Sequence, residues 1–431
     1  METVRFLLLH HTAEHFPFLS APSNTRHRTT FHTTLTRLLF SSTPEEQPLT
    51  WEQFISPISD TLSKLNSLSN AELRAQNVLG PLIGVLRDLR GIASSLHNRR
   101  TYGLLFDTLF PAHFPLFVRI AEVWFDEPAV TTSLLKFIHE FVYNKANRVN
   151  FDQSSPNGIH LFRMTSNVVC GYARNMLAST QPVPEHEEYK KKFKGLGLAL
   201  EVLNSALSGN YVCFGVFALY QDPVLENGLD VALKLVLSVP LDSILSYPKL
   251  AKSYFAFLEV VFRSHIATVL MLDTPTLMQL LNAIHEGLQS SDAPLSSSCA
   301  TTIDHLSTYF FNNQGKQKQE VKQLEAHINS QPSLFPSLTA TLFNLLLFGS
   351  AANHWAVMRP MLSLMLASED SFTSYKEQLM STQTPENKQL LSAAFAKLLE
   401  DVARSLESAN RDRFTQKLTA FRINARSFLT L

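Results

Sequence analysis

His11-Thr12-Ala13-Glu14-His15 is the stretch of this sequence whose residue types and spacing come nearest to a catalytic metal site. On a helix, two histidines at i and i+4 share a face and can ligate zinc, with the intervening glutamate as general base. Here Phe16-Pro17 follows at once and limits the helix, and no third ligand can be assigned. No glycine-rich phosphate loop of the Walker type occurs, and Gly195-Leu196-Gly197 has neither a preceding strand nor a third glycine. No Gly-x-Ser-x-Gly elbow is present either. His139, His265 and His285 fall within apolar helical stretches and read as core or turn residues. Cys170, Cys213 and Cys299 lie far apart, without the spacing of a zinc site, and read as reduced core residues of a cytosolic or nuclear protein. The sequence assigns no catalytic residue, no cofactor-binding residue and no metal ligand. It predicts a protein that is not an enzyme.

Charge offers a second kind of chemistry. Within a helix, Arg87 and Arg90 of Arg87-Asp88-Leu89-Arg90-Gly91 flank one face while Asp88 can reach a neighbouring helix. The same residues also satisfy the description of an exposed i, i+3 cluster. The acids Glu369, Asp370, Glu400 and Asp401 are able to attract a basic partner. Lys190, Lys191, Lys192 and Lys194 follow Glu185, Glu187 and Glu188, a mixture that reads as a solvated loop or helix start. Overall, 37 basic residues balance 37 acidic ones, so the basic excess of a nucleic-acid binder is absent. The apolar run at 6–9 is too short for a signal peptide. The richest apolar stretch, 338–348, is broken by Thr339, Thr341 and Asn344, and no stretch reaches the ~18 apolar residues of a membrane span. A soluble intracellular protein is expected.

The elements that must carry these residues are helices. Glycine is scarce at 14 residues, and 45 % of the chain is hydrophobic. Leu277, Leu280, Leu281, Ile284 and Leu288 follow the i, i+3, i+4, i+7 period, as do Leu391, Phe395, Leu398, Leu399, Val402 and Leu406. Ser155-Pro156, Asp222-Pro223, Thr274-Pro275 and Thr384-Pro385 each place a capping oxygen before a proline, which loses nothing in a first helical turn. The pattern predicts roughly eighteen to twenty helices. Polar, aperiodic connections are expected at 41–50, 178–189 and 312–322. The run 254–272 is apolar on more than one side, as a helix sandwiched between stacked repeats must be. The expected fold is all-α: a superhelical solenoid of stacked, HEAT-type antiparallel helix pairs over 25–431, with 1–24 as a partial N-terminal helix or cap.

Several stretches, in order, resemble the exportin-7 (Ran-binding protein 16/17) branch of the importin-β superfamily. They are Arg87-Asp88-Leu89-Arg90-Gly91-Ile92-Ala93, Phe151-Asp152-Gln153-Ser154-Ser155-Pro156-Asn157-Gly158-Ile159, Ala206-Leu207-Ser208-Gly209-Asn210-Tyr211-Val212 with Phe214-Gly215-Val216-Phe217, and Tyr247-Pro248-Lys249-Leu250. Trp355, Arg359-Pro360 and Asn410-Arg411-Asp412-Arg413-Phe414-Thr415-Gln416 follow. His11-Thr12-Ala13-Glu14-His15-Phe16 also resembles a family stretch, which weakens a zinc reading further. The resemblance implies a nuclear transport receptor that shuttles between nucleus and cytoplasm, binding Ran-GTP, folded cargo with basic surface patches, and nucleoporins. It implies neither a nucleic-acid nor a membrane partner. Family chains are more than twice as long, and the part expected to be missing is the N-terminal arch with the main Ran-binding repeats. A HEAT scaffold that binds partners without Ran is the alternative expectation.

Overall fold

A computed structural model describes residues 2–21, 25–41, 49–152, 154–349 and 354–429. Most of the expected 41–50 connection therefore lies outside the described residues, as does Gln153. Among the described residues there are helices and no strand.

Helix starts follow the capping chemistry read from the sequence, with local adjustments. Thr384 accepts a hydrogen bond from the Asn387 amide (3.3 Å), and Pro385 opens helix Pro385–Leu399. At Ser155-Pro156 and Asp222-Pro223 the expectation is corrected: each proline is itself the N-cap, outside the first helical turn, and Ser155 Oγ and Asp222 Oδ1 accept from the amides of Asn157 (3.2 Å) and Val224 (3.1 Å) that follow it. At Thr274-Pro275 the cap moves one residue upstream. Asp273, not Thr274, accepts from the Thr276 amide (3.0 Å), because a carboxylate is the stronger acceptor at a helix N-terminus.

Four other expectations are corrected, and the lysine run is a helix start as read. The run 254–272 is two helices, Pro248–Ser264 and Ile266–Leu270, broken at His265. The 178–189 connection shortens because Glu185–Glu188 is already helical, and the 312–322 connection shortens to 314–318. The lysine run forms the helical entry to Lys194–Leu207, with Lys191 paired to Glu187 at 2.7 Å. Cys170 and Cys299 are buried as expected, but Cys213 is exposed.

Residues up to 240 form one compact unit and those from 241 a second. In the first unit, helices Thr25–Leu39, Gln76–Ser95, Pro128–Val142 and Lys194–Leu207 pack one on the next in a row. Helices Phe114–Val123, Asn157–Ala178 and Val224–Leu237 form a second row against it. This is the stacked helix-pair arrangement of an α-solenoid, in which each repeat buries its apolar faces on its neighbours. Gly91 brings the first two helices of the first row together: a Cβ there would meet the Thr29 carbonyl oxygen at 2.4 Å. Thr33 and Ser95 hydroxyls cross the same contact, donating to the Gly91 carbonyl (3.1 Å) and the Thr33 carbonyl (3.0 Å).

In the second unit, Pro248–Ser264, Ala293–Asn313 and Met361–Ala367 pack in series. Thr274–Leu288 packs on Ala293–Asn313, Leu334–Phe348 on Glu369–Ser381, and Pro385–Leu399 on Ser408–Ala425. Pro248–Ser264 buries Phe255, Phe257, Leu258 and Val261 almost completely. Each such side chain stabilises the packed state by about 1.5–3 kcal/mol relative to exposure. No single described helix is long and apolar enough to cross a membrane.

Candidate functional site

The stretches that stood out in the sequence come together at three places. The first is a buried charge cluster between helices Thr25–Leu39 and Gln76–Ser95. Asp88 accepts from Arg28 Nε at 2.8 Å and is also bonded by Arg28 Nη2. Its Oδ1 lies 3.0 Å from His32 Nδ1. His32 Nε2 lies 3.3 Å from His11 Nδ1, and His11 Nε2 donates to the Phe54 carbonyl at 2.8 Å. Asp88 is the countercharge to Arg28. Its burial works against ionisation, yet His32 and Arg28 together hold its carboxyl below the usual range.

His11 therefore faces inward, and His15 does not share its face. Helix Glu2–Leu9 ends before either residue, and the His15 ring packs on His10 (4.5 Å) and Phe6 (5.8 Å). No group of three His, Cys, Asp or Glu able to hold a metal exists among the described residues.

Burial first, then His32, pushes the His11 imidazole from 6.5 down to about 4. The unfolded chain thus binds this proton at higher pH than the folded one. Stability from a neutral His11 is fully present above pH 6.5 and is lost as pH falls towards 4, by up to about 3 kcal/mol in all. Between pH 7 and pH 5, urea unfolding of the native chain is expected to weaken by about 2 kcal/mol more than that of a His11→Gln variant. Equal pH dependence of the two proteins would refute the assignment.

The second place is a pocket of about 580 Å³ where the 151–159 and 206–217 stretches meet. Its walls are set by a bridging side chain: Asn144 accepts from the Val149 amide (2.8 Å) and donates to the Gly209 carbonyl (2.6 Å). Gly158 lies so close to the second loop that a Cβ would sit 2.1 Å from the Tyr211 carbonyl oxygen. Asn147 (φ 56°) and Asn210 (φ 55°) hold left-handed backbone on opposite walls, a conformation asparagine tolerates better than most residues. The Tyr211 ring is tucked beside Gly209 and its hydroxyl is buried. That burial raises the phenol pKa, and burial followed by Tyr211 does the same to Tyr102.

The third place is Asp304, buried in helix Ala293–Asn313. It accepts from Ser363 Oγ (2.6 Å), Arg411 Nη1 (3.0 Å) and Arg359 Nε (3.3 Å), residues 59, 107 and 55 positions away. Asn410, beside Arg411, closes the preceding turn by bonding the Ala403 amide (2.9 Å) and the Ala403 and Ser405 carbonyls (both 2.7 Å). Arg359 and Arg411 keep partial access to water, so Asp304→Asn is expected to cost about 1–3 kcal/mol in urea unfolding. A loss below about 0.5 kcal/mol would show the junction to be incidental.

The acids expected to attract a partner are exposed, and most already have cations. Glu369 pairs with Arg404 at 3.2 Å, while Lys417 lies 3.9 Å from Glu400 and 4.0 Å from Asp401. Reading the sequence missed Arg148, the most buried charged side chain among the described residues. It sits in an aperiodic turn after helix Pro128–Val142, where no spacing signal marks it.

No family model matches the chain. Curated relatives do. Exportin-7-B of Xenopus laevis is 38 % identical over 436 residues, covering 98 % of this chain and 40 % of that protein. Ran-binding protein 17 of Homo sapiens is 38 % identical over 437 residues, with the same two coverages. Exportin-7 of Dictyostelium discoideum is 32 % identical over 418 residues, 96 % of this chain and 41 % of that protein. None of these names is an enzyme's. The chain is thus similar along 98 % of its length, at 38 % identity, to part of proteins named exportin-7 and Ran-binding protein 17, and it spans about 40 % of the length of the relatives it matches.

Proposed function

We propose that this chain is the C-terminal part of a nuclear export receptor that acts with Ran-GTP on folded protein cargo bearing basic surface patches. The receptor shuttles between nucleus and cytoplasm through contacts with nucleoporins. The observation that carries this reading is identity over nearly the whole chain to proteins named exportin-7 and Ran-binding protein 17. The stacked helix pairs suit it, because a row of repeats offers an extended surface to a large partner and small rotations between repeats alter that surface. The family account places the main Ran contacts in an N-terminal arch, so the chain alone is expected to bind Ran-GTP more weakly than a full-length member.

Pull-down with Ran locked in its GTP form, with and without a basic folded cargo, tests the proposal. Retention of Ran that requires GTP supports it. Retention indifferent to nucleotide at micromolar protein defeats it and favours the second reading, a helical scaffold that binds partners without Ran. Coverage of only 40 % of its relatives is the observation behind that second reading.

A further inference from the structure

We propose that the pocket between the 144–159 and 209–216 segments binds an extended peptide segment of a partner protein through three asparagine amides. This rests on reading the chain as a partner-binding receptor. Asn147, Asn150 and Asn210 line the pocket, are exposed, and make no side-chain hydrogen bond within the described residues. Each presents one carbonyl oxygen and one NH₂ group, the complement of the N–H and C=O of a peptide unit. Asn144, by contrast, is fully engaged in holding the two loops at fixed separation.

The remaining lining narrows the ligand class. Phe151, Ile159 and Val216 supply an apolar surface for an uncharged side chain, and the Phe151 ring is anchored 4.9 Å from Phe106. Asp152 is the charged residue of the lining, and it is paired with Arg99. No lysine or arginine lines the cavity, so phosphates and acidic ligands find no matching charge there. The volume, about 580 Å³, lies within the range of ligand pockets, roughly 300–1,000 Å³. Donors and acceptors in equal number, an apolar wall and no cation are the requirements of peptide backbone carrying apolar or polar side chains.

The pocket carries its own reporter. Cys213 lines it and is exposed, while Cys170 and Cys299 are buried. The whole chain is panned against a phage library of random heptapeptides, without Ran or cargo. Recovered peptides are then assayed for affinity and for slowing of maleimide labelling at Cys213. The proposal expects peptides that slow labelling at least tenfold. Their affinity should fall at least tenfold for Asn147→Gly/Asn150→Ala/Asn210→Gly, in which glycine preserves the left-handed backbone. Cys213→Trp adds a bulky ring to the pocket lining and removes none of the amides. It must lose binding equally, which keeps the test decisive should the triple variant misfold. Peptides that bind all three proteins alike, or protection of Cys213 only by nucleotide or free phosphate, would overturn the proposal, as would a selection yielding no protective peptide. Because no Ran is present, failure here leaves GTP-dependent retention of Ran intact, and failure of that retention leaves this result intact.

Discussion

Replacing Arg148 by methionine is expected to destabilise the first unit by more than about 4 kcal/mol, the largest single-residue effect in the chain. All five guanidinium N–H groups have acceptors. Nε donates to the Tyr143 carbonyl (3.1 Å), and Nη1 to the carbonyls of Ala93 and Leu96 (2.8 Å to the latter). Nη2 donates to the Glu140 carbonyl, and its second contact is Glu140 Oε1 at 3.5 Å. The side chain is fully buried, yet its charge sits where the carbonyl ends of helices Gln76–Ser95 and Pro128–Val142 converge. Helix C-termini leave carbonyls without intrahelical donors and carry partial negative charge, so one guanidinium closes two ends at once. Methionine fills similar volume and leaves four carbonyl oxygens without this donor, at about 1–3 kcal/mol for each one left unsatisfied. Lysine is expected to recover only part of the loss, because three donors on one nitrogen cannot reach acceptors spread around a planar fork. Urea unfolding followed by far-UV circular dichroism measures both variants. A loss under about 1 kcal/mol for methionine would show that water replaces the guanidinium freely.

Asp88→Ala is the second large effect, expected at about 3–5 kcal/mol. The carboxylate is buried between Arg28 and His32, whose side chains are 16 % and 1 % exposed. Removing it leaves the Arg28 guanidinium with no countercharge and His32 Nδ1 without its carboxylate partner in a poorly hydrated space. Replacing the whole cluster with apolar residues of similar volume is a different perturbation, because no charge is then stranded. A combined Asp88→Leu/Arg28→Met/His32→Leu variant should therefore unfold at higher urea than Asp88→Ala alone. The opposite order would mean that packing, not charge, makes Asp88 important.

How much of this was legible depends on the range of the interaction concerned. Stripes such as Leu277, Leu280, Leu281 and Ile284 repeat within a turn or two, so they report the helix and its buried face directly. Caps are equally local, and the displacement from Thr274 to Asp273 is a contest between adjacent acceptors. Asp88 was legible as an acid able to reach a neighbour. Its partners were not, since Arg28 lies 60 positions away and His11 enters only through His32. Asp304 passed unnoticed inside a helix rich in serine and threonine, although Arg359 and Arg411 both belong to family-like stretches.

Those stretches mark places where backbone or charge must fit closely, which explains why short segments stand out in a chain whose other helices need only apolar stripes. Gly158 against Tyr211 and Gly91 against Thr29 are steric requirements, and Arg411 with Asp304 is an electrostatic one. Arg148 belongs to neither group in the sequence. Its acceptors are main-chain carbonyls, which every residue has, so no residue pattern announces them.

The central claim, that the chain is part of a Ran-dependent export receptor, makes a thermodynamic demand that simple binding does not. Cargo and Ran-GTP bound to one receptor must each raise the affinity of the other by the same factor. The decisive measurement is the dissociation constant of a basic folded cargo, titrated by fluorescence anisotropy with saturating Ran-GTP and again with Ran-GDP. The account predicts at least fivefold tighter cargo binding with the GTP form, a coupling of about 1 kcal/mol or more. Equal affinity in the two titrations, with cargo bound in both, would contradict it.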